Sequence, residues 1–172
     1  MALTRRPRTV QGYGTAAGTG TLAALILVGV CGSPWYVGWA EAHTDPNSAG
    51  GWYLRLLAWP AWRVESTDPE HGVLATDLRA ILLLLFAAGL LYLLPAGQVA
   101  RVPGSASQFF SGWAAYTLAA AAATLLAALL TADGPLLAAF ETTGTGAGYG
   151  FFAGWIIGWP ASAAGPDPPG TG

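Results

Sequence analysis

Long uncharged runs separated by short charged clusters set the pattern of this chain. Thr9 to Ala40, Ala80 to Ala100 and Val102 to Ala132 carry no Asp, Glu, Lys or Arg, and a fourth apolar run, Pro135 to Pro160, contains only Glu141. The second run is the plainest, 21 residues bracketed by Arg79 and Arg101. At about 1.5 Å per helical residue such a run spans the roughly 30 Å hydrocarbon core of a bilayer. The pattern therefore predicts an all-α integral membrane protein, a four-transmembrane-helix bundle with an aromatic-rich extracytoplasmic loop between helices 1 and 2. The expected order is a cytoplasmic N-terminal tail (1–18), helix 1 (19–40), an outer loop (41–77), helix 2 (78–97) and a cytoplasmic loop (98–108). Helix 3 (109–131), helix 4 (135–160) and a disordered cytoplasmic tail (161–172) complete it.

Thr21 to Ala40 closes on Trp35, Tyr36 and Trp39. Because this run exceeds the 7 to 15 residues of a signal-peptide core and ends in interface-type aromatics, it reads as an uncleaved span. Cleavage after the small pair Ala40 and Ala42 is the competing reading. A twin-arginine signal fits poorly, since Pro7 and Arg8 follow Arg5 and Arg6 where apolar residues belong.

Between the first two spans lies GGWYLRLLAWPAWRV. Trp52, Leu56 and Trp59 fall at helical spacing, with Gly51 and Pro60 as punctuation. Too short to cross and too aromatic to float free, the segment 52–63 is expected to lie on the outer leaflet. Trp52, Trp59 and Trp62 would sit at headgroup depth, with Arg55 and Arg63 reaching phosphate.

The third run is poor in side-chain bulk, as AAYTLAAAAATLLAALL shows. Its small residues suit close helix approach. Thr131-Ala-Asp-Gly-Pro135 reads as a tight turn, so helices 3 and 4 form an antiparallel hairpin. In helix 4, Gly146, Gly150, Gly154 and Gly158 recur every four residues and make one side a smooth groove, expected to be a helix-packing seam or a docking surface.

Only 9% of the 172 residues are charged and 53% are apolar, which supports the membrane reading and argues against a second globular domain. The net charge of −2 leaves no electrostatic footprint for nucleic acid. All seven basic residues are Arg, beside heavy Ala and Gly use, a composition that fits a bacterial genome of high G+C content. Arg5, Arg6, Arg8 and Arg101 flank one side of the spans, and the acids concentrate on the other. That bias places both termini in the cytoplasm of a plasma-membrane protein. The single Cys31, inside an apolar run, excludes an intrachain disulfide and reads as a small buried hydrophobe.

Two places could carry chemistry. Glu141 lies six residues, about 9 Å, beyond Pro135. An ionisable group at that depth marks a candidate intramembrane polar site with Arg79, Thr142 and Thr145, unless the helix sits lower and the carboxylate meets headgroups. The second place is the outer loop, where Glu41, His43 and Asp45 would converge on one side of an extended segment, with His71 nearby. Such a set could hold zinc or manganese, but the competing reading is a solvated acidic loop, and no H-E-x-x-H or other ligand motif is present. No cofactor is implied. The glycine-rich stretch lacks the Lys of a phosphate-binding loop, and no nucleophile elbow occurs.

A long, Trp-rich first outer loop and a short second one resemble the layout of claudin-type four-span proteins. The resemblance is of architecture, since the paired loop cysteines of that group are absent. The expected function is a non-enzymatic accessory subunit that binds a membrane-protein partner or a second copy within the lipid bilayer. A small transporter or channel subunit using Glu141 is the alternative, and a membrane enzyme or metal site on the outer face the second.

Overall fold

A computed structural model describes residues 11–62, 72–98, 105–131 and 136–163. Every regular element among them is helical. The elements are α1 (Gln11–Ile26), a π-helical turn (Leu27–Cys31), α2 (Pro34–His43), α3 (Ala49–Leu57), α4 (Gly72–Gln98), α5 (Ser105–Thr131) and α6 (Leu136–Ala163). Among the described residues two helices are long and apolar enough to cross a membrane, over Thr76–Leu93 and Phe109–Thr131. A third span results if Gly18–Cys31 and Pro34–His43, bent by 64° at their junction, are taken as one. Although α6 is 28 residues long, its many Gly, Thr and Trp residues dilute its apolarity.

The four long helices pack in a cyclic order, α1 on α4, α4 on α5, α5 on α6 and α6 on α1. At the centre lie small side chains, among them Ala24, Ala80, Ala87, Ala119, Ala123 and Ala153. Such residues let helix backbones approach closely. The α5–α6 seam is the tightest. A Cβ at Gly146 would lie 2.7 Å from the Ala120 carbonyl oxygen, at Gly150 2.7 Å from Thr117 Cα, and at Gly158 2.8 Å from the Phe109 carbonyl oxygen. Those separations are shorter than any real Cβ contact, so only glycine permits this approach.

The first apolar run departs from the single helix expected over 19–40. Its backbone loosens into the π-turn and ends at Gly32, and Ser33 begins a new helix with Pro34 at its first position. The physical cause is local. Proline lacks an N–H and its ring clashes with the preceding turn, while the Ser33 hydroxyl accepts from the Tyr36 N–H at 3.2 Å. From there α2 and α3 form a helical hairpin, held where Tyr36 donates to the Leu54 carbonyl at 3.1 Å. The hairpin closes on its own start, because the Trp62 N–H donates to the Gly32 carbonyl at 2.7 Å.

Gly32 is buried at that neck, where a Cβ would stand 2.5 Å from the Pro60 carbonyl oxygen and 3.1 Å from Trp62 Cδ1. The Gly32→Ala variant is therefore expected to lose about 1–3 kcal/mol through overpacking against backbone. Thermal unfolding in detergent measures it, and an unchanged midpoint would show that the neck is not closed as described.

Candidate functional site

The most built-up polar arrangement lies where the hairpin meets the long helices. Trp59, just after α3, stacks on Tyr149 of α6 with ring centroids 4.7 Å apart and planes 24° from parallel. Arg79 of α4 places its guanidinium carbon 4.2 Å from the centroid of the same Trp59 ring. Its Nη2 also donates to the Trp59 carbonyl at 3.1 Å. Beyond Tyr149, the phenol of Tyr116 on α5 shares a 3.0 Å hydrogen bond with the Tyr149 hydroxyl. One stack thus joins α4, the hairpin, α6 and α5. A cation over an indole face contributes about 0.5–2 kcal/mol, more where water is excluded.

Tyr116 and Tyr149 are both fully buried. One hydroxyl donates to the other, so removing either leaves the remaining phenol without this bond in an apolar interior, at a cost of about 1–3 kcal/mol. Tyr116→Phe and Tyr149→Phe are each expected to destabilise by that amount, and the double variant by less than the sum. Thermal melts of the four proteins test this cycle. Simple additivity would mean that the two hydroxyls act independently.

Trp62 closes the break in the first helix. Its indole Nε1 donates to the Val28 carbonyl at 3.1 Å, and the Gly32 N–H donates to the same oxygen at 3.1 Å. The carbonyl at the broken turn is therefore met by the chain itself. Arg55 is similarly engaged at the far end of α2. Its Nε donates to Thr44 Oγ1 at 3.0 Å, and its Nη2 to the Thr44 and Glu41 carbonyls at 2.8 and 3.0 Å. A guanidinium there satisfies the terminal carbonyls of α2 and complements the helix dipole.

The residues singled out in the sequence thus occupy different settings. Of the interfacial set, Trp59 and Trp62 turn toward the protein, Trp52 is exposed with its ring edge-on to Phe152 at 5.1 Å, and Arg63 lies outside the described residues. Glu141 is exposed on α6, while Arg79 is engaged at Trp59. Thr142 and Thr145 return their hydroxyls to the carbonyls of Ala139 and Thr142, at 2.8 and 2.6 Å. Gly146, Gly150, Gly154 and Gly158 are all buried against α5.

Of the acidic and imidazole residues expected to converge on one extended segment, two are instead helical. Glu41 and His43 both belong to α2. Two positions on a helix differ by about 200° in direction, so these side chains diverge. His43 stacks on Trp39 and its Nδ1 lies 3.0 Å from the Trp39 carbonyl oxygen, while Asp45 accepts from the Asn47 N–H at 2.9 Å. His71 lies outside the described residues. Among the described residues no group of three or more His, Cys, Asp or Glu side chains could hold a metal ion.

Tyr53, Tyr116 and Tyr149 were not singled out in the sequence. The available signal was a phenol inside an apolar run, which needs a hydrogen-bond partner when buried. Tyr53 on α3 finds two, donating to the Phe152 carbonyl at 3.2 Å and accepting from Trp155 Nε1 at 2.8 Å.

A second feature is a groove of about 660 Å³ between α1 and α4, lined by Gly18, Thr21 and Leu25 on one wall and Ala88, Gly89 and Tyr92 on the other. Unlike the glycines of the α5–α6 seam, Gly18 and Gly89 have open space where a Cβ would stand. Compared with known protein families, curated proteins and solved structures, the chain matches none.

Proposed function

We propose that this is an integral four-helix protein of the plasma membrane whose groove between α1 and α4 receives an apolar helix of a partner protein. The open groove over Gly18 and Gly89 carries the reading. Glycine serves close backbone approach on the α5–α6 seam, and the same residue type lines the α1–α4 groove with open space where a Cβ would stand. The proposed role is non-enzymatic and accessory, with both termini cytoplasmic from the Arg distribution.

The register between helices supports a common membrane slab. A Cβ at Gly20 would meet Leu91 and Ile157, and Gly158 faces Phe109, so Gly18, Leu93, Phe109 and Trp159 come to similar heights. From Gly18 the first helix rises about 20 Å to Cys31, and α2, inclined by 64°, adds about 6 Å more. The same climb along α5 from Phe109 ends near Leu126, which the α5–α6 register sets beside Glu141. Both the tip of the hairpin and Glu141 then reach the far boundary, about where a 30 Å hydrocarbon layer ends. Between the two heights the outward surface is apolar, with Leu85, Tyr92, Leu118 and Phe151 all exposed. In this frame α6 crosses beside α5.

A transport role through Glu141 draws less support. The threonines around the carboxylate return their hydroxyls to their own helix, and Glu141 reaches the boundary rather than the interior. An enzymatic or metal role on the outer face has the diverging Glu41 and His43 against it.

Filling the groove tests the proposal. Gly89→Trp, at a position with open space, is expected to leave thermal unfolding in detergent unchanged and to abolish co-purification of one stoichiometric partner retained by the unaltered chain. Retention of that partner by the variant, or its absence from the unaltered chain after crosslinking in membranes, would overturn the assignment.

A further inference from the structure

We draw no further inference here: the strongest candidate, the exposed aromatic patch that runs over α5, α6 and α3 from Phe110 through Trp113 and Phe152 to Trp52, is an unpartnered apolar face, and nothing in the structure shows what covers it.

Discussion

Replacing Gly150 by leucine is expected to separate α5 from α6 and to leave little folded protein in detergent. A Cβ alone at this position would lie 2.7 Å from Thr117 Cα and 2.9 Å from Ala120 Cβ. Since one contact is to backbone, no rotamer change relieves it, and the helices must move apart along a seam that also seats Gly146, Gly154 and Gly158. Inserting extra methylenes into a packed interior ordinarily costs about 1–3 kcal/mol, and a clash with backbone belongs at or above the top of that range. Gly150→Ala should fall within it. The control is internal to the same helix. Gly144 and Gly148 have open space where a Cβ would go, so alanine there should gain up to about 1 kcal/mol of helix propensity. Thermal unfolding followed by circular dichroism compares the four variants. Equal behaviour of Gly150→Ala and Gly148→Ala would show that α5 and α6 do not meet along this face.

The contrast also shows what the sequence could and could not disclose. Four-residue spacing puts Gly146, Gly150, Gly154 and Gly158 on one side of a helix, and the short Thr131-to-Pro135 connection makes the preceding helix the natural neighbour. Gly144 and Gly148 have the same spacing, yet they face open space, because spacing defines a face and only packing decides what lies on it. The helical character of the chain was legible for a similar reason. Charge-free runs of the right length leave few alternatives, as Ala80 to Ala100 illustrates.

The break in the first run was legible in principle. Ser33 followed by Pro34 is the ordinary signature of a helix start, with a capping hydroxyl and a residue whose missing N–H costs nothing at that position. It is easily overlooked inside an apolar stretch, where hydropathy gives no sign of an interruption. The direction of Trp59 and Trp62 was a harder matter. An amphipathic segment with tryptophans at helical spacing fits a lipid surface and a protein groove equally well, since both accept an apolar ring with a polar edge. The deciding partners are remote in sequence. Tyr149 lies on α6, and the Val28 carbonyl that takes the Trp62 indole N–H lies 34 positions earlier in the chain, in the π-turn. Likewise Arg55 could have met lipid phosphate, but the broken first run creates a helix end whose carbonyls lie within its reach.

The same dependence makes Trp59 the residue whose loss should reach furthest. Trp59→Ala removes the ring that Arg79 covers and that stacks on Tyr149, and it lies between the Tyr53 and Trp62 attachments of the hairpin. Truncating a packed aromatic to alanine typically costs about 3–5 kcal/mol, a large share of a marginal stability. The loss should appear as a lower unfolding midpoint and as a weakened near-ultraviolet circular dichroism signal, with helix content little changed until the melt. Trp59→Phe keeps a stacking ring and should recover part of the stability, while Arg79→Gln should lose about 0.5–2 kcal/mol with the cation over the indole face removed. Because Arg79 and Trp59 touch, combining Arg79→Gln with Trp59→Ala should cost less than the two separate losses added together. If Trp59→Ala instead melts with the unaltered chain, the hairpin is not docked through this ring, and the link from α4 across the hairpin to α6 and α5 has some other origin.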